Sequence, residues 1–170
     1  MERRAYLGVA AAGLVLAGGR YATMLDGQAV PDGIDVATEH VVDDVLEGGL
    51  STQQGPDEYP VHYYHLVPDE ASASAALTEE ASRKSFVQET EFDRSVLLVV
   101  QYMMSSEQWL TLEQIERIED GLAVAVDTES PAGEYVQDEG VHSLMIRITD
   151  DKGTIPTELR VSVNSERIDV

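Results

Sequence analysis

Apolar residues follow three rhythms along this chain. From Ala5 to Gly19 they form one unbroken run of about 15 residues, rich in Gly and Ala, short of the ~20 that a stable membrane-spanning helix needs. Between Ala29 and Pro60 the pattern breaks into turn clusters: Pro31-Asp32-Gly33, Glu47-Gly48-Gly49 and Gln53-Gln54-Gly55-Pro56-Asp57 surround one short apolar piece, Val41 to Leu46. Gly and Pro at that density predict loops. From Tyr59 onward, apolar and polar residues alternate with the period of two that puts every second side chain on one face of a strand. Residues 1–29 therefore read as a leader, 30–58 as a loop-rich entry segment, and 59–170 as one β-rich globular domain.

Within that domain, Tyr59 to Val67 predicts a first strand, with Val61, Tyr63 and His65 on one face and His62, Tyr64 and Leu66 on the other; Pro68 ends it. Ala71 to Phe86 is Ala-rich, and Thr78 before Glu79-Glu80-Ala81 is a helix start, so one or two short helices are expected there. Ser95 to Tyr102 is the most apolar run outside the leader, which suits a central strand buried on both faces. Thr111 to Glu119, Asp120-Gly121 and Leu122 to Asp127 predict a hairpin whose Asp-Gly supplies positive φ. His142 to Thr149, the turn Asp150-Asp151-Lys152-Gly153 and Leu159 to Val163 predict a second. The expected fold class is α+β: a single domain of mainly antiparallel sheet built from hairpins, with one or two short helices.

Charge changes the picture. The chain carries 32 acidic against 11 basic residues, a formal net charge of −21, and from Val30 onward the ratio is 30 to eight. Such a field repels phosphates and anionic headgroups, so no nucleic acid partner is expected. The acids stand in ones and twos, as at Asp43-Asp44 and Glu79-Glu80, which marks a solvated surface rather than a disordered tail. Self-repulsion destabilises such a body in dilute buffer, but at ~1 M salt the Debye length falls to about 3 Å and the repulsion is screened. Only Lys84 and Lys152 accompany nine arginines, a composition that resembles proteins of salt-loving archaea. The absence of cysteine excludes disulfides, thiolate metal sites and a cysteine nucleophile.

In the leader, Arg3-Arg4-Ala5-Tyr6-Leu7 precedes the apolar run and resembles a twin-arginine export signal. The expected signal residues are Arg3, Arg4, Tyr6 and Leu7, and the expected partner is the export machinery. Gly27-Gln28-Ala29 offers small residues for cleavage. If uncut, the stretch through Leu25, interrupted by Arg20, makes a poor single-pass anchor, and the membrane is met only there. Haloarchaeal leaders that resemble this one place a cysteine after Leu-Ala-Gly for lipid attachment, whereas Leu16-Ala17-Gly18 precedes Gly19 here. Both routes place the domain at the cell surface or outside.

Catalytic candidates are sparse. Of the four histidines, His40, His62, His65 and His142, the pair His62 and His65 project to opposite faces of a strand, which argues against a shared metal. Asp150-Asp151-Lys152-Gly153 lacks the rest of a calcium loop, and Asp127, Glu129, Glu134 and Asp138 form a looser acidic set. Asp93 and His142 with a serine make a nominal triad without a Gly-x-Ser-x-Gly elbow, and no phosphate-binding glycine loop occurs. No metal and no cofactor are assigned. Trp109 with Tyr59, Tyr63 and Tyr64 offers rings for recognition or for a core; the candidate interaction surface is Tyr102, Trp109 and the turn between them.

Glu91-Phe92-Asp93-Arg94-Ser95-Val96-Leu97-Leu98-Val99-Val100, followed by a hairpin and a long loop, resembles the small β-rich domain of the PrcB family, regulators associated with secreted proteases. The likeness covers roughly Phe86 to Ile148 and implies topology. The family's glycine pair before an aromatic is replaced by Ser105-Ser106-Glu107-Gln108 before Trp109. The expected function is a non-catalytic exported surface or envelope domain, binding a protein partner or serving structurally. The rival is a secreted hydrolase using scattered carboxylates, which requires two acids ~5 to 9.5 Å apart in a pocket.

Overall fold

The computed structural model describes residues 29–52, 61–133, 138–151, 156 and 158–168. The signal residues Arg3, Arg4, Tyr6 and Leu7, the cleavage candidate Gly27-Gln28, and Tyr59, Glu134, Lys152 and Gly153 lie outside that set. The elements in chain order are β1 (Ile34–Val41), a 3-10 turn (Leu50–Thr52), β2 (His62–Val67), α1 (Glu70–Ala76), α2 (Glu79–Ser82), α3 (Ser85–Gln88), β3 (Ser95–Met104), β4 (Trp109–Ile118), β5 (Gly121–Glu129), β6 (Gly140–Asp150), β7 (Glu158–Val163) and β8 (Glu166–Arg167). The class is α+β. Among the described residues no helix is long and apolar enough to cross a membrane.

The strands form two four-stranded sheets, β1-β6-β3-β2 and β4-β5-β7-β8. The first is antiparallel throughout, and β3, flanked by β6 and β2, is buried from Ser95 to Gln101. Its apolar run is thus the central strand that the sequence predicts. Val96, Leu98 and Val100 meet Leu112, Val124 and Val161 of the second sheet in one core. On the other face, Leu97, Val99 and Met145 pack under Ala73, Leu77 and Phe86 of the helical segment and Val45 and Leu46 of the loop after β1. Two of the three short helices are fixed at their starts by side chains: α1 by Asp69, which accepts from the Ser72 amide at 2.7 Å, and α2 by Thr78, which accepts from the Ala81 amide at 3.2 Å, whereas α3 starts at Lys84 without a side-chain cap; such caps satisfy first-turn amides that short helices cannot.

Three sequence expectations are corrected. The entry segment 30–58 supplies a full strand, β1, paired along its length with β6 from Ile34↔Asp150 to Val41↔Ser143. β6 and β7 do not form a hairpin: β6 lies in the first sheet, and β7 crosses to the second, parallel to β5 and antiparallel to β8. Alternation reports which face a strand buries, and both strands bury theirs in the same core from opposite sides. The β4–β5 hairpin is present, but among the described glycines positive φ occurs at Gly33 and Gly133, not at Gly121. Gly121 opens β5, and its lack of a side chain admits the Glu158 carbonyl of β7.

The segment after β1 is tied to the first sheet by buried polar groups. Gln101, fully buried on β3, accepts from the Leu50 amide at 2.8 Å and donates to Asp44 Oδ1 at 2.7 Å and Ser143 Oγ at 3.0 Å. Ser143 in turn donates to the Asp43 carbonyl at 2.6 Å. Asp44 also accepts from the Ser51 and Leu46 amides.

Candidate functional site

Strand register brings most of the imidazoles to one end of the sandwich. His62 of β2 stands opposite Tyr102 of β3, and Tyr102 stands opposite His142 of β6. In-register partners share a face, and the face is the inner one, because Val100, Met104 and Leu144 on it belong to the core between the sheets. His40 of β1, opposite Leu144, is the diagonal neighbour of His142. His65, opposite Val99, lies on the other face, as alternation predicts.

His40 and His142 touch. Nε2 of His40 is 3.1 Å from Nδ1 of His142, and the rings stack with centroids 5.2 Å apart and planes inclined by 20°. Such a bond needs one nitrogen protonated and one bare, which two neutral rings supply. Burial, reinforced by the positive charge His142 would carry, lowers the His40 pKa to about 4. Burial also lowers that of His142, against the opposing pull of the Ser105 carbonyl, the Asp138 carboxylate and the Met104 carbonyl. His142 Nε2 and His62 Nδ1 are buried without a hydrogen-bond partner of acceptable geometry. Among the described residues, no three His, Asp or Glu converge as metal ligands.

The pair makes the fold acid-sensitive. Unfolded chains take up protons near the ordinary imidazole value of 6.5, whereas folded His40 does so only near 4. Stability from this source is therefore complete above pH 6.5 and drains as pH falls toward 4. After discounting for partial exposure, the loss is about 1 to 2 kcal/mol. Urea unfolding across that range in high salt is expected to give a flatter stability curve for His40→Gln than for the parent; parallel curves refute the assignment.

Above the row, the β3–β4 turn and the loop before β6 interlock. Ser106 donates through its amide at 3.2 Å and its hydroxyl at 2.7 Å to Asp138, and the hydroxyl first, then the amide, hold the Asp138 pKa below the usual carboxylate range. Gln108 donates to Ser130 Oγ at 2.8 Å, and Trp109 Nε1 to Glu129 at 3.2 Å.

The sequence-predicted residues fall as follows. Tyr102 is half-buried against the core between the sheets, while Trp109, 36% exposed, begins β4 in the second sheet. They bracket the turn from different sheets. Asp93 precedes β3 and His142 pairs near its far end, so the nominal triad is split by the length of that strand. Asp150 is bound by Arg117 at 2.8 and 3.0 Å, and Asp127 caps the Thr128 amide. A shallow groove on the outer face of the second sheet, lined by Gln114, Glu116, Ala123, Ala125, Arg160 and Ser162, holds one carboxylate. The sequence offers His40 as one of four histidines but not its pairing with His142, because the surrounding turn clusters masked its strand; the alternation Ile34, Val36, Thr38, His40 was the available signal. No family model, no curated protein and no solved structure matches the chain.

Proposed function

We propose that this chain is an exported, non-catalytic domain of a salt-loving organism that acts at the cell surface or in the envelope, by binding another macromolecule or by a structural role. One observation supports the reading: the histidine, serine and aspartate groups a hydrolase would employ are bonded in pairs away from the groove on the second sheet, which holds the single carboxylate of Glu116. His40 is bonded to His142, the Ser106 hydroxyl to Asp138, and Asp44 to Ser51 and Gln101. The exposed ring of Trp109 sits beside the interlocked loops, and large rings on rigid supports anchor protein interfaces. The likeness to the PrcB family contributes topology alone.

Trp109→Ala and Tyr102→Ala are expected to lower recovery of a partner from high-salt membranes, with Trp109→Ala the stronger because Tyr102 is half-buried. Unchanged recovery with both variants defeats the binding role of this surface. Substituting Arg3→Lys and Arg4→Lys together is expected to leave the chain in the cytoplasm, read by cell fractionation and by mass spectrometry of the N-terminus; continued export refutes the leader assignment.

A further inference from the structure

β2 is an edge of the first sheet, with β3 as its neighbour. Met103 donates its amide to the Val61 carbonyl at 2.8 Å, which makes that rung a hydrogen-bonded one. By antiparallel alternation the main-chain groups of Tyr63, His65 and Val67 also turn toward β3, and those of His62, Tyr64 and Leu66 point outward. Natural edge strands are guarded by charge, proline, a bulge or a cover. β2, His-Tyr-Tyr-His-Leu-Val, contains no Asp, Glu, Lys, Arg or Pro and pairs with β3 without a register shift. The other sheet edges are guarded: β1 carries Asp35 and Glu39, β4 carries Glu113, Glu116 and Arg117 with a bulge, and β8 is Glu166-Arg167. In a chain of net charge −21, β2 is, among the described residues, the sheet edge free of acidic and basic side chains.

We propose that this edge is a self-association surface, where a second copy of the chain adds its own β2 antiparallel across a two-fold axis. A two-fold perpendicular to the sheet keeps inner faces together, so outward-pointing residues meet their like: Tyr64 opposite Tyr64 of the second copy, and His62 opposite its Leu66. Aromatic and aromatic–aliphatic cross-strand pairs are favourable, and no like charges face each other. The product is one continuous eight-stranded sheet, and its outer edges are the two acid-bearing β1 strands, so assembly closes at two copies. Two such negative bodies repel at low salt, so association strengthens as salt rises. The inference does not rest on the surface at Tyr102 and Trp109.

Sedimentation velocity on the full chain tests it. A dimer is expected at about 2 M NaCl, shifting toward monomer near ~0.1 M. His65→Glu places a carboxylate against Tyr63 of the second copy, and His62→Pro removes one outward N–H at a strand start, where proline is tolerated. Each is expected to weaken dimerisation about tenfold or more with circular dichroism unchanged, whereas Trp109→Ala leaves the dimer intact. A chain that stays monomeric at high salt, or a dimer indifferent to both β2 variants, overturns the proposal.

Discussion

Gly121→Ala is expected to destabilise the fold by about 3 kcal/mol or more, beyond the range of ordinary surface substitutions. A Cβ at this position would lie 1.8 Å from the Glu158 carbonyl oxygen, 2.7 Å from its carbon and 2.9 Å from its nitrogen. All three are main-chain atoms, so no rotamer change can make room. Gly121↔Glu158 is the first rung of the parallel β5–β7 pairing, and the Glu158 amide bonds the neighbouring Asp120 carbonyl at 3.1 Å. To accommodate a methyl group, β7 must swing away from β5, withdrawing Val161 and Val163 from the core between the sheets. Gly48→Ala is the control, because nothing lies within 4 Å of a Cβ there. Its effect is expected within about 0.5 kcal/mol. Equilibrium urea unfolding in high salt decides; a loss at Gly121 no larger than that at Gly48 is incompatible with the close approach of β7.

Gln101→Leu is expected to cost about 2 to 4 kcal/mol, although the two side chains are similar in size. The amide is fully buried and makes three hydrogen bonds, so its loss strands the Leu50 N–H and removes a donor from Asp44 and from Ser143. Ser143→Ala is expected to cost only about 1 kcal/mol, since Gln101 keeps its bonds to Leu50 and Asp44 in that variant. Hydrogen exchange at the Leu50 amide is expected to speed up selectively in Gln101→Leu; unchanged protection there would show that the amide is held by something else.

The same network sets an acid limit separate from that of the histidines. Burial pushes the Asp44 pKa up, but hydrogen bonds from the Ser51 hydroxyl, Gln101 and the Ser51 and Leu46 amides overcome it and hold the carboxyl below its usual value. A depressed carboxylate contributes stability above its unfolded value near ~3.9 and loses it as pH falls through the folded one. The parent chain therefore has more to lose below about pH 4 than Gln101→Leu, and the gap between their stabilities narrows there.

What the sequence disclosed depended on whether the signal was local. β3 was legible because its residues from Ser95 to Gln101 are buried on both faces and mostly apolar. The β4–β5 hairpin was legible because its partners are adjacent in sequence. β1 was hidden because Thr38 and His40 occupy inward positions that read as polar, between turn clusters rich in Gly and Pro. The second hairpin was misread because nothing in the alternation of β6 or β7 says which sheet each joins. The histidine row required the registers of β1, β2, β3 and β6 together, which no spacing within one segment encodes.

The pairing of β1 with β6 joins Ile34 to Asp150. A strand made early thus has no ladder partner until β6 has been made, and β3 waits for the same neighbour on one side. Contacts so distant in sequence close large loops and make folding slow. A ribosome-bound fragment ending before Gly140 would hold both strands ready and neither joined on that flank. Closure of this sheet therefore waits for β6, the last of its four strands to be made.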